Sequence, residues 1–385
     1  MVRRRTGEIA VLASAAMTSQ GAVDPRDRRP QRIAVLPGDG IGRDVTAEAV
    51  KVIEAAAERW SLPLELVHEP WSADHYLATG VSIPPGTLER YRDEFAAIFI
   101  GAYGDPRIPD MRHAADILLG TRFNLDLYIN FRPCKLLDAR LCPLKDKREA
   151  DVDFVVFREN TEGAYVGVGG FFKKGTADEV AVQEEIHTRK GVERIIRAAF
   201  EWAVANGRGK VCMADKSNVM RFGHDLWQRV FAAVAGEFPS IASSHMFVDA
   251  LAMQLVRAPE QFEVIVTNNM FGDILTDLGS ALQGGLGVAA SANLHPGRTS
   301  MFEPVHGSAP KHAGTGRANP VGAVLSAGLM LDTLGHAEAA REIEAAVTAA
   351  LRAGECTVDL GGTLTTSQLG DRLARAIAAP AAARR

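Results

Sequence analysis

The sequence predicts an α/β protein with a substantially parallel sheet. Short apolar runs close on glycine-rich or polar turns, helical patterns follow them, and the unit recurs along the chain. The first unit is Ile33 to Leu36, closed by Pro37-Gly38-Asp39-Gly40-Ile41-Gly42 and followed at helical spacing by Ala47, Val50, Val52, Ile53 and Ala57. Phe95 to Ile100 runs into Gly101-Ala102-Tyr103-Gly104, and Val152 to Phe157 and Lys210 to Met213 each run into a polar turn. Phe262 to Thr267 ends at Asn268-Asn269. Continuous apolar strands of this kind are buried on both faces, and such folds place their chemistry in the loops after the strand ends.

One stretch breaks the rhythm. Gly167 to Gly175, followed by Val180, Val182 and Ile186 among Gln183, Glu184 and Glu185, reads as a β-hairpin around Phe171 to Ile186. A projecting arm needs a partner for its edges, which points to a second subunit. Helical spacing resumes at Val192, Ile195, Ile196, Ala199 and Ala203. Residues 1–31 read as a disordered N-terminal extension, although Ile9 to Met17 loosely imitates a signal peptide, and Ala374 to Arg385 reads as a frayed helix end.

The 385 residues allow about two domains. With 43 basic against 47 acidic residues, the net charge of -4 gives no footprint for nucleic acid. Four cysteines without a C-x-x-C pair suggest neither a disulfide framework nor a thiolate zinc site, so a cytoplasmic location is expected. No run reaches the ~18 apolar residues of a membrane span.

Several constellations could carry chemistry. Gly38-Asp39-Gly40-Ile41-Gly42 lacks the G-x-G-x-x-G spacing of a dinucleotide turn and reads equally as a tight strand-to-helix turn. In Asn268 to Asp277, Asp273 and Asp277 are four apart on one helical face, where like charges repel by roughly 0.2–0.5 kcal/mol unless a cation neutralises them. Oxygen-only donors point to Mg²⁺ or Mn²⁺, and two solvated helix-start acids are the alternative. Arg122, Arg132 and Arg158 offer guanidinium forks for a substrate with two carboxylates, although each alone reads as a surface charge. Lys216 follows a strand end, where a desolvated lysine could carry a proton, and His306 lies in a glycine-flanked turn.

Together, from about Arg32 to Leu373, these stretches resemble the β-decarboxylating dehydrogenases, the isocitrate/isopropylmalate dehydrogenase family. Gly38 to Gly42, Arg132-Pro133, Arg158 to Glu162, Lys216-Ser217-Asn218, Val248-Asp249-Ala250, Asn268 to Asp277, Glu303 to Pro310 and Asp359 to Gly362 carry the resemblance. It implies a two-domain fold that is not a Rossmann fold, with a β-arm for dimerisation. Residues 32–130 plus 286–385 would form a first, cofactor-side domain, and 131–285 a second with the metal residues and the arm. It implies a homodimer with shared active sites. Arg122, Arg132 and Arg158 would hold the carboxylates, and Asp273 and Asp277 would bind Mg²⁺ or Mn²⁺ with Asp249 of the other subunit. Tyr165 and Lys216 would be the acid/base pair, Lys216 also coming from the other subunit. His306, Gly307, Ser308, Ala309, Pro310, Lys311, His312 and Asn319 would contact NAD or NADP.

In the family the substrate's 3-substituent is read by the helix before Arg122. Leu118 and Leu119 there suggest an apolar group, hence 3-isopropylmalate and leucine biosynthesis. Ala114-Ala115 departs from the usual glutamate, and tartrate/D-malate enzymes share the double leucine. Those enzymes, homoisocitrate and isocitrate dehydrogenases and a non-catalytic regulatory subunit are the alternatives. Lys311 stands where NAD-preferring relatives carry an aspartate, while Val358 and Gly362 lack the further NADP contacts, so weak discrimination between NAD and NADP is expected.

Overall fold

A computed structural model describes residues 30–379. Its strands are β1 (Gln31–Leu36), β2 (Leu64–His68), β3 (Ala97–Ile100), β4 (Ile129–Lys135), β5 (Asp153–Glu159), β6 (Gly169–Phe172), β7 (Val180–Gln183), β8 (Lys210–Asp215), β9 (Ala242–Phe247), β10 (Val264–Thr267), β11 (Ala290–Leu294) and β12 (Ser300–Pro304). Ten form one sheet in the order β2-β1-β3-β12-β11-β4-β5-β10-β8-β9.

Both wings are parallel, as the apolar runs predict, but the centre is not. β11 pairs antiparallel with β12 and β4, and β4 antiparallel with β5. The sheet is therefore mixed, because the two wings run in opposite senses and meet through strands that alternate in polarity rather than being apolar throughout. The expected domain crossing near Asn130 lies within β4, and that near Leu286 lies at a 3-10 turn just before β11.

Helices cover both faces. In the second wing Val264 and Val266 pack with Trp202 and Trp227, while Ile265 between them packs with Leu251, Leu255 and Leu275 from the opposite layer. In the first wing Ile33, Val35 and Phe99 meet the helices that supply Val45, Val324 and Ile343, and Ala34, Leu36 and Ile98 meet Tyr91, Phe95 and Ile117.

β6 and β7 form the expected hairpin, paired from Gly169↔Gln183 to Phe172↔Val180. It makes a separate two-stranded sheet whose side chains are all exposed, with Phe171 at 61% and Phe172 at 65%. The extension expected over 1–31 lies outside the described residues, apart from Pro30 and Gln31, and Gln31 already belongs to β1. Helix Thr366–Ala378 is capped by Thr365 and Gln368 and buries Ile377, so the part of the tail up to Ala378 is regular helix rather than frayed; residues 380–385 lie outside the described residues. No helix among the described residues is long and apolar enough to cross a membrane.

Candidate active site

The antiparallel centre of the sheet has two unlike faces. Phe131, Phe157, Ala292 and Phe302 point into the core with Trp202. The cross-strand register Asn130↔Arg158, Asn293↔Asn130 and Ser291↔Glu303, with Arg132 two residues from Asn130, puts the polar side chains on the other face.

On that face Arg158, 1% exposed, donates from Nε and Nη2 to Asn269 Oδ1 (3.0 and 2.7 Å) and from Nη1 to Asp273 Oδ1 (2.5 Å). Its guanidinium fits because residue 272 is glycine: a Cβ there would stand 2.5 Å from Arg158 Cγ. Burial, then the charge of Arg132, pulls Arg158 down to about 9. Arg132 Nη1 reaches Thr276 Oγ1 (2.6 Å) and Asp273 Oδ1 (3.2 Å), and Arg122 Nη2 reaches the buried Glu303 (2.7 Å), which also accepts from Asn293 Nδ2 (2.8 Å). Nε of Arg122 and Nε of Arg132 are buried without a partner among the described residues, two donors suited to a bound anion.

Asn268 ends β10 and caps the helix Asn269–Gln283, its Oδ1 accepting from Phe271 N–H (2.9 Å). One turn in, Asp273 gathers Arg158, Arg132 and the Tyr165 hydroxyl, which donates to Oδ2 at 2.8 Å. Burial alone would raise the Asp273 carboxyl, but Arg158 and Arg132 outweigh it and hold it below its ordinary value. Asp277 makes no hydrogen bond or ion pair among the described residues, and burial, then Asp273, pushes it up. An all-oxygen pair one turn apart, one member uncompensated, suits a hard divalent cation. Tyr165 lies in the 3-10 turn Ala164–Val166, and burial raises its phenol.

Lys216 and Asp249 are brought to each other rather than to this cluster, with Lys216 Nζ 2.5 Å from Asp249 Oδ1. Lys216 is partly exposed and ion-paired, which corrects the expectation of a desolvated lysine. They follow the C-terminal ends of β8 and β9, two and three strands beyond β5 and at the outer end of the sheet.

The segment before Arg122 is not a regular α-helix. A π turn, Ala115–Leu119, separates the short helices Arg112–Ala114 and Gly120–Asn124. A π turn shifts the phase of the residues after it relative to those before it. Leu118 packs against the Tyr91–Phe95 cluster. Leu119 lines an open cleft of about 760 Å³ with Tyr76, Ser82 and Asp116, whose carboxylate accepts from Ser82. None of the three arginines lines that cleft.

The loop from His306 to His312 lies against the glycine turn after β1. Ile41 N–H donates to Ser308 O (2.8 Å), and a Cβ on Gly40, whose φ is +53°, would stand 2.1 Å from that oxygen. Gly38 and Gly42 abut Ala102 in the same way, so these glycines serve backbone packing. Asp39 between them is fully buried, accepting from Ala73 N–H (2.7 Å) and Gly104 N–H (2.9 Å) and facing His113 Nε2 (2.8 Å). His306 is buried, which lowers its imidazole, and its Nε2 has no partner among the described residues. Gly307, Lys311 and His312 are exposed, Ala309 takes a positive φ of 35° before Pro310, and Asn319 Nδ2 donates to Asp359 Oδ2 (3.0 Å). Asn269, Thr276, Glu303 and Asn293 are site residues that motif reading gave no role. The available signal was a polar residue within an otherwise apolar run.

Comparison with known proteins agrees with this geometry. A family profile described as isocitrate/isopropylmalate dehydrogenase matches residues 32–373. The chain belongs to that family. It is 43% identical over 352 residues to a 3-isopropylmalate dehydrogenase of Thermobifida fusca, covering 91% of this chain and 98% of that protein. A decarboxylating D-malate dehydrogenase of Escherichia coli is 40% identical over 357 residues, covering 91% and 99%. The structure of isocitrate dehydrogenase from Methylococcus capsulatus superposes with a TM-score of 0.81 at 35% identity, covering 91% of this chain and all of that one. Members of this family are NAD(P)-dependent decarboxylating dehydrogenases that bind dicarboxylates and use a divalent metal.

Proposed function

We propose that the chain oxidises and decarboxylates 3-isopropylmalate to 4-methyl-2-oxopentanoate in the cytoplasm, as a step of leucine biosynthesis. The observation that carries a malate-type substrate is the arginine trio, with two orphaned buried N–H groups beside an Asp273–Asp277 pair. The isopropyl group is favoured by the 43–45% identity to 3-isopropylmalate dehydrogenases. D-malate is the second reading, supported by the 40% identical relative.

In this reading Arg122, Arg132 and Arg158 hold the two carboxylates and fix the C2 hydrogen toward the nicotinamide. Asp273 and Asp277, with the partner's Asp249, would hold Mg²⁺ or Mn²⁺, whose chemistry is to acidify the C2 hydroxyl and neutralise developing negative charge. The partner's Lys216 takes the hydroxyl proton as hydride leaves C2. The product is a β-keto acid, whose C–C bond to the carboxylate at C3 then breaks to release CO₂. The electron pair left on carbon is protonated from the Tyr165 phenol, which Asp273 orients at 2.8 Å.

The loop His306 to His312 and Asn319 would contact the cofactor, and Lys311 is free to meet a ribose phosphate, so NAD and NADP should differ by no more than about tenfold in kcat/KM. The division at 130 and 286 would let the two halves close on the substrate. The exposed hairpin, with Phe222 at 93% exposure and Val219, Ile274, Met253 and Val256 also exposed, supports a homodimer. Steady-state assays against 3-isopropylmalate, D-malate, tartrate, isocitrate and homoisocitrate test the substrate. 3-Isopropylmalate should have the highest kcat/KM, since burying an isopropyl group gains roughly 1.5–3 kcal/mol. A win for isocitrate would remove the apolar-pocket assignment.

A further inference from the structure

Both feet of the hairpin are tied to active-site loops. Tyr165 lies just before β6, and beyond β7 the chain brings Glu185 and His187 against His224 at the start of helix Gly223–Ala235. Both imidazoles are buried almost completely. The ligand atoms of the three side chains lie within 4.8 Å of one another, a spacing that a metal ion could use. The hydrogen bonds assign the trio differently. Trp227 Nε1–H donates to His187 Nδ1 (3.2 Å), and the backbone N–H of Lys216 donates to His224 Nδ1 (2.7 Å). With both Nδ1 atoms accepting, the protons of the neutral rings sit on Nε2. A metal on Nε2 would move each proton to Nδ1, where it would face another N–H.

The two Nε2 groups stand at ion-pair distance from the Glu185 carboxylate, 3.2 Å from His187 and 3.7 Å from His224, and Asn268 Nδ2 bridges Glu185 Oε1 (2.9 Å) and His224 Nε2 (3.2 Å). Burial alone would raise this carboxyl, but the imidazoles outweigh it and hold it at about 2. Glu185 thus stands beside the imidazole that holds the Lys216 backbone, at 3.7 Å directly and through the Asn268 amide. Through Asn268 it also reaches the cap of the helix that carries Asp273 and Asp277.

We propose that Glu185 is a positioning residue: from the foot of the hairpin it fixes the Lys216 loop through His224 and the Asp273–Asp277 helix through Asn268. Seating of the hairpin then sets both loops. This rests on the reading of Lys216 as the proton carrier.

The test compares Glu185→Gln, His224→Asn, His224→Gln and Lys216→Met in the full chain, at saturating Mn²⁺ and cofactor, with the best of the five substrates. Glu185→Gln should lower kcat about tenfold and leave the substrate KM within about twofold, because the arginines are untouched. In His224→Asn the amide oxygen stands near the Nδ1 position and can still accept from Lys216 N–H, whereas in His224→Gln it cannot. The Asn variant should therefore keep at least about threefold more kcat. Wild-type kcat in Glu185→Gln, or equal kcat in the two His224 variants, overturns the proposal. If Lys216→Met is inactive while Glu185→Gln runs at the wild-type rate, only the role of Glu185 falls. If Lys216→Met keeps wild-type kcat, the Lys216 assignment falls and the proposal with it. Zinc that survives dialysis at one per chain and is lost in Glu185→Gln would also overturn it, by making the trio a metal site.

Discussion

At the scale of single residues, the site sets buried arginines against part-exposed acids, and the buried charges need one another. Asp273 is shared by two arginines and a phenol, so any change there disturbs groups that the motif alone does not connect. Glu303 does the same for Arg122. Burial would raise its carboxyl, but Arg122 and Asn293 outweigh that and keep it below its ordinary 4.5. A carboxyl depressed in the folded state contributes stability above the unfolded pKa, and that contribution is lost as pH falls through the folded value. Glu303→Gln should therefore cost about 2–4 kcal/mol at pH 7, part of it from leaving Arg122 unpaired. The gap to wild type should narrow as pH falls below about 4.5. Thermal melts of both proteins from pH 7 to pH 3 check this, and a gap that stays constant with pH would show that Glu303 is not ionised in the fold.

At the scale of elements, the strands legible in the sequence were the largely apolar ones buried on both faces, β1, β3, β5, β8 and β10, and the exposed hairpin β6–β7, marked by its glycines and alternating valines. β2 and β9 were not, because both are edge strands with mostly part-exposed or exposed residues, and β9 reads Ala242-Ser243-Ser244-His245. β4 carries Arg132 and Pro133, and the proline is tolerated because β11 pairs only with Ile129 to Phe131. The polar face of the antiparallel centre, where the arginines meet, depends on the register of β4 with β5 and with β11, the latter 163 residues on at Asn130↔Asn293, which no local period encodes. The π turn was equally hidden, since one shifted hydrogen bond leaves the residue pattern unchanged. Within the glycine turn the residue types were legible but their purpose was not: the glycines admit the backbone at Ser308 and Ala102, and Asp39 ties down three loops. Gly40→Ala, at a φ of +53° and 2.1 Å from Ser308 O, should displace the His306 loop. The KM for NAD or NADP should rise by about tenfold or more, with the substrate KM changing far less. Unchanged cofactor KM in a folded Gly40→Ala protein would separate that loop from cofactor binding.

At the scale of the molecule, the proposed functional groups fall into two sets. The arginines, Tyr165 and Asp273 are joined by hydrogen bonds at the centre of the sheet, with Asp277 one turn on, whereas Lys216 and Asp249 pair with each other after β8 and β9, at its outer end. Exposed apolar side chains surround that outer end and cover the hairpin, the pattern of a surface that another copy would bury. In the proposed homodimer a two-fold axis would use the same surface of both subunits, so that each outer end would complete the other's centre. The consequence is genetic as well as structural. Asp273→Asn damages the centre of its own chain, while Lys216→Met damages the site of the partner. In a mixed dimer of the two variants one site carries both lesions and the other carries neither. Dimers purified with a different tag on each subunit should therefore show about half the wild-type kcat per dimer, although each variant alone is inactive. If every functional group of a site came from one chain, both sites of the mixed dimer would be damaged and no activity would return.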